Sequence, residues 1–184
     1  TGDTLGSRST AIGRGALAVQ NFTSATDSNN TAVGFGAGVA VSTGTHNTII
    51  GSAAGDGIVT GTRNTALGFN ALGGAVDDGN HNTCIGSDAG LITTGSQNTF
   101  VGAYDPSTGG CGEAMTTGDK NTILGAFNGN QNSLDIRTTD NNIVLSDGDG
   151  YPRASYRTSI NRWAFEADSA GDVAYSFDNT NATN

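Results

Sequence analysis

Large apolar side chains are scarce in this chain. Leu, Ile, Val and Phe supply about 18% of its 184 residues and the formal net charge is −9, a balance that on composition alone leans toward disorder. Against that, proline occurs only twice, there are no charge blocks or homopolymer tracts, and the apolar residues recur at regular positions. Order is the expectation. Cys84 and Cys111 are the only cysteines, which excludes a disulfide framework. No apolar run approaches the ~18 residues of a membrane helix, and the opening "TGDTLGSRST" has no signal-peptide pattern; no membrane insertion is expected. Lys and Arg number 8 against 17 Asp and Glu. A pI near 4.3 argues against nucleic acid as a partner, because phosphate binding needs a basic face.

What the chain has instead is glycine, 29 residues of it, and a repeat. Copies of Asn-Thr-x-aliphatic-Gly begin at Asn30, Asn47, Asn64, Asn82, Asn98 and Asn121, with a weaker copy from Ser9. The intervals are 17, 17, 18, 16 and 23 residues. A period under twenty is too short for helical or leucine-rich repeats and fits one coil of a parallel β-solenoid or β-roll. The expected fold is therefore all-β, a thin parallel solenoid of about 17-residue coils. The aliphatic position holds Ile12, Val33, Ile50, Leu67, Ile85, Val101 and Leu124, and it reads as the side chain that points into a core.

The residue before it is Ala11, Ala32, Ile49, Ala66, Cys84, Phe100 or Ile123. Neighbours on a strand point to opposite faces, so both faces are at least partly covered. A second short strand is expected around "VAVSTG", "GIVTG", "LITTG" and "AMTTG", each closed by a glycine at positive φ. Stacked Asn and Thr side chains should bond from coil to coil. So thin a column buries too little apolar area to offset its ordering entropy. A parallel homotrimer is expected, with the aliphatic ladder near the shared axis.

The copies "NTAVGFGAG", "NTIIGSAAG", "NTALGFNAL" and "NTCIGSDAG" resemble the repeats of phage tail fibres, and more distantly the heads of trimeric autotransporter adhesins. Both families form trimeric β-rolls. The later "NNIVLSDGDGYPRASYRTSINRWAF" resembles the segment that precedes an endosialidase-type intramolecular chaperone in tail fibres; such a chaperone would be removed or lie outside this chain. The resemblance implies a structural fibre protein of a virion, with itself, other tail or fibre proteins and a host-surface glycan as partners. An extracellular bacterial adhesin or filament is the alternative, and a polysaccharide-degrading tailspike a third reading.

Residues 1–125 read as the repetitive shaft and 126–184 as a β-rich distal region. Residues 102–119 read as an excursion out of the coil, either a plain surface loop or a binding loop. In "SDGDG", Asp147 and Asp149 lack the further oxygens of a calcium loop, so a hairpin turn is favoured and no metal or cofactor is assigned. His46 and His81 share a repeat position with Arg63, Gln97 and Lys120, a polar ladder that is either a solvated edge or a weak attractor of acidic sugars. Phe35 and Phe69 share another position and read as interface residues rather than sugar-stacking ones. No nucleophile elbow or catalytic pairing is present, so no enzyme is expected. Host recognition is placed on Tyr151, Arg153, Tyr156, Arg157 and Trp163, where aromatic faces and hydrogen-bonding groups gather.

Overall fold

A computed structural model describes residues 5–74, 79–91, 93–102 and 104–165 and the backbone of 176–178. Among these residues all regular structure is β. The chain opens with β1 (Gly6–Ser7), β2 (Thr10–Ile12) and β3 (Thr26–Asp27), and β1 pairs in parallel with β3. One three-residue strand then marks each coil: β4 (Thr31–Val33), β5 (Thr48–Ile50), β6 (Thr65–Leu67), β7 (Thr83–Ile85), β8 (Thr99–Val101) and β9 (Thr122–Leu124). A small hairpin, β10 (Asn130–Gln131) and β11 (Leu134–Asp135), precedes β12 (Ile143–Ser146), β13 (Pro152–Arg157), β14 (Arg162–Phe165) and β15 (Ser176–Asp178). From β2 to β9 the strands stack in parallel, Asn-Thr repeat on Asn-Thr repeat, so the solenoid reading holds.

Inside each coil the core is built differently from the expectation. The residue before the aliphatic one points inward: Ala32, Ile49, Ala66, Cys84, Phe100 and Ile123 are fully buried, while Ile12, Ile50, Leu67 and Leu124 are exposed on the chain's outer face. Ala37, Ala54, Ala71 and Ala89 complete the interior with Val41, Ile58 and Met115. Side-chain volumes are traded within a coil, with Ala66 beside Leu72, Ile49 beside Gly55 and Phe100 beside Gly112. A Cβ on Gly112 would stand 2.7 Å from the Phe100 ring, so only glycine leaves room for it.

Among the described residues the expected second strand does not form, for a reason visible in its hydrogen bonds. Ser42 and Gly44 both donate to the Val59 carbonyl, and Thr94 and Gly95 both donate to that of Thr116. Two donors converging on one oxygen make a turn rather than a ladder. Gly44, Gly61, Gly95 and Gly118 do not adopt positive φ either; His46, Arg63, His81, Gln97 and Lys120 do, at 57° to 61°. The glycines are needed for close approach, since a Cβ on Gly44 would lie 2.4 Å from the Gly61 carbonyl oxygen one coil on.

That tight stacking positions the asparagines. Asn47 Nδ2 donates to Gly61 O at 2.8 Å, and Asn47 Oδ1 accepts from the backbone N–H of Asn64 at 2.9 Å. The same pair of bonds recurs at Asn30, Asn64, Asn82 and Asn98. The column is fully buried. Each amide thus satisfies backbone groups that the narrow coil would otherwise leave unpaired, which is where the cost of burying a polar side chain is recovered.

The stack does not end at 125. Asn142 donates its N–H to Asn121 Oδ1 at 2.9 Å, and β12 lies parallel to β9 with Val144 over Ile123 and Leu145 over Leu124. One more coil, lacking the Thr of the repeat, extends the shaft. Only then does the sheet turn antiparallel through β13, β14 and β15. The excursion is also shorter than 102–119. Gly90 donates to the Cys111 carbonyl, which puts Cys111 in the column of Ala54 and Ala89, and Met115 is back in the core.

Cys84 and Cys111 are both free and buried. Burial, followed by the neighbouring Cys111, pushes the Cys84 thiol well above its ordinary value, and burial pushes Cys111 up to about 12. Neither forms the thiolate that reagents attack. Thiol labelling in native buffer is expected to proceed only as fast as the chain unfolds; a burst of labelling at Cys84 in the folded state would contradict its place in the core.

Candidate functional site

Strand register carries the outward aliphatic residues into one row. Ile12, Val33, Ile50, Leu67, Ile85, Val101 and Leu124 are successive partners across the parallel stack. Leu145 continues the row in β12, and the antiparallel pairings add Ala154 and then Phe165. Beside it runs a row of threonines, Thr31 to Thr122, which ends in Ile143, Tyr156 and Trp163. One uncharged face therefore runs from β2 to β14. Exposed apolar surface of that continuity makes this face a candidate interaction surface.

The five residues expected to recognise a host do not form one cluster. Tyr156 packs on Trp163 with ring centroids 5.7 Å apart, and Trp163 stacks on Phe165 at 6.3 Å. These aromatics belong to the outward face just described. On β13, Arg157 is on the opposite side from Tyr156, with its Nε donating to Ser155 Oγ at 3.2 Å. Tyr151 stands elsewhere, at the end of the turn between β12 and β13, with Arg153 just beyond it at the start of β13.

That turn is organised by Asp147. Its Oδ1 accepts the N–H groups of Asp149 and Tyr151 at 3.1 and 2.9 Å, and its Oδ2 accepts Arg153 Nε at 2.8 Å and a second guanidinium N–H. Burial pushes the Asp147 carboxyl up, but the bonds and charge of Arg153 and the two backbone donors outweigh it and hold it below the usual carboxylate range. Both oxygens are used by the protein. The "SDGDG" segment is thus a self-capped turn.

Tied down by Asp147, Arg153 lies 5.7 Å from the centroid of the half-exposed Tyr151 ring. Tyr151 and Asp149 face the shortened excursion, and together with Asp105, Ser107 and Thr108 they line a cleft of about 250 Å³. Comparison with known proteins finds no matching family model, no matching curated protein and no matching solved structure. The chemistry of this cleft must be read from its own residues. Asp105 Oδ1 accepts the N–H groups of Ser107 and Thr108 and the Thr108 hydroxyl, at 2.8, 2.9 and 3.1 Å, closing the loop on itself. Asn128 Nδ2 donates to the Thr108 carbonyl at 2.7 Å and pins the loop to the shaft.

A second cleft, of about 320 Å³, lies near the other end of the stack, lined by Arg14, Phe35, Val39, Ala53 and Asp56. The Arg14 guanidinium sits 5.7 Å from the centre of the Phe35 ring. Asp56 Oδ1 is buried with no hydrogen-bond partner, and burial raises its carboxyl above the ordinary 3.8. Phe35 and Phe69 are both exposed. Asp56 and Asp105 carried no sequence signal as site residues, each being an isolated acid among seventeen; Asp149 drew notice only as a weak calcium candidate beside Asp147, and the coil stacking instead sets it opposite Asp105.

Proposed function

We propose that this chain is a shaft segment of a homotrimeric fibre, of the phage tail-fibre type, whose distal end attaches to a host-surface glycan. The observation that carries the reading is the outward row from Ile12 to Leu145 and Phe165, apolar throughout, in which Ile12, Ile50, Leu67, Leu124, Leu145 and Phe165 are exposed, Val33, Ile85 and Val101 are half-buried and Ala154 alone is buried. A row one side chain wide, parallel to the stack axis, is buried most completely when equivalent rows meet about a common axis. Small residues on either side, the glycines after each strand above all, allow the close approach this needs. The Tyr156, Trp163 and Phe165 cluster continues the same face, so we assign it to assembly and leave Tyr151 and Arg153 for attachment. In this reading the protein is part of the virion, held by itself and by other fibre proteins.

Light scattering of the purified chain in native buffer is expected to return about three times the 18.4 kDa chain mass. A chain-mass particle with the secondary structure intact would overturn the trimer, because the exposed row would then be a solvated surface.

A further inference from the structure

The cleft between the excursion and the β12–β13 turn is built from two segments more than forty residues apart, and the fold spends specific contacts on holding both. Asp105 closes residues 105–108, Asn128 fixes that loop to the next coil, and Asp147 with Arg153 fixes the turn that carries Asp149 and Tyr151. What the two segments then present to solvent is an aromatic residue, two hydroxyl side chains and two carboxylates. Tyr151 is 49% exposed, and Arg153 stands against its ring.

From this geometry we infer that the cleft binds a single neutral or amino-bearing sugar ring, with Tyr151 as its stacking wall and Asp105 and Asp149 as acceptors for sugar O–H or N–H groups. The inference deepens the attachment reading above and rests on it for its biological role only. At about 250 Å³ the cleft is smaller than a drug-sized ligand pocket, which suits one ring rather than a chain of them. Stacking an apolar sugar face on an aromatic ring fixes the ring plane, and hydrogen bonds from its edge to fixed carboxylates fix its orientation. Asp105 engages its neighbours through Oδ1, so its second oxygen is the one available to a ligand. Charge sets the selectivity. The Arg153 charge is neutralised by Asp147, leaving Asp105 and Asp149 as the net charge of the cleft on a chain of −9. Uronic, sialylated and sulfated sugars are therefore repelled, and a protonated hexosamine is favoured over its neutral parent.

The test is a glycan array carrying neutral, amino and uronic-acid saccharides, followed by titration of glucosamine, methyl glucoside and glucuronic acid into the full chain. Binding of neutral and amino members, with glucuronic acid at least about tenfold weaker, is expected. Tyr151→Ala should weaken all binding by about tenfold with particle mass and circular dichroism unchanged. Asp149→Asn, which keeps the shape of the turn, should weaken glucosamine by about fivefold and leave methyl glucoside within about twofold. Absence of binding on the whole array, preference for the uronic acids, or parental binding by Tyr151→Ala would each overturn the inference. Sugar binding that persists in a fibre unable to attach to cells supports the cleft and overturns only the attachment reading.

Discussion

Ile49→Asp and Ile50→Asp, one residue apart, are expected to fail in different ways. Ile49 is fully buried inside its own coil, where Cβ atoms built on Gly38 and Gly55 would meet its side chain at 2.9 to 3.1 Å. A carboxylate there has no donor and no water, and an unpaired buried charge costs roughly 3–5 kcal/mol, a large share of a domain's whole stability. Ile49→Asp should give no folded chain: the β signal in circular dichroism is lost along with the particle. Ile50 is 37% exposed on the single chain, and an acid there costs a coil little. Around a shared axis it brings carboxylates of several chains together in a dry row. Ile50→Asp should therefore keep the β signal and scatter as one chain of 18.4 kDa, because the filled interior of each coil gives a single column more core than its composition suggested. If Ile50→Asp still assembled, the row would not be the interface; if Ile49→Asp stayed folded, the assignment of the two faces would be reversed.

That assignment is also where the sequence misled. Two apolar residues stand side by side in each repeat, and the sequence makes the more uniform one, Ile12 to Leu124, look like the core. The structure puts the less uniform one inside. A coil interior can absorb a change from Ala66 to Phe100 because a second position in the same coil changes the other way, Leu72 in one and Gly112 in the other. An outer row has no such partner within the chain. Its uniform size is what the proposed interface between copies would need, whereas a coil interior does not require it. The energetic cost of the exchange is visible too, since Leu17 and Leu72 fill their holes from left-handed backbone, at φ 48° and 49°, a region that leucine seldom occupies.

The period, the parallel stacking and the asparagine column were legible because they repeat. What does not repeat was not. Asn142 begins a further coil, but Ile143 stands where the repeat has Thr and the spacing from Asn121 is 21 residues, so the pattern breaks while the register continues. Asp105 and Asp149 come together only because a loop and a turn project from neighbouring parts of the stack, and no spacing rule links them.

Asn64→Asp is expected to be as damaging at neutral pH as a buried cavity, and to heal in acid. Asn64 is 1% exposed. Its Nδ2 donates to Gly79 O at 2.8 Å and its Oδ1 accepts the Asn82 N–H at 2.9 Å. Aspartate keeps the acceptor but replaces the donor by a second oxygen facing a carbonyl oxygen, in a column where no cation is placed to offset it. The loss should be about 3–5 kcal/mol, or about 10 °C in melting temperature for a chain of this size. A protonated carboxyl restores a donor toward Gly79, so burial raises the folded-state pKa above the unfolded ~3.9. The deficit is then smallest below that unfolded value and grows as pH rises through the raised one. Asp135 and Asp147 act in the opposite sense. Hydrogen bonding to Arg137 lowers the first, and the bonds and charge of Arg153 with backbone donors outweigh burial to lower the second, so their contribution is present above the ordinary carboxylate range and is lost as pH falls below it. Both chains carry those groups unchanged, and they cancel in the difference. Melting temperatures of parent and variant should thus converge from pH 7.5 down to about pH 4; a gap that stayed constant over that range would mean that Asn64 fills space in the column without its amide donating to the next coil.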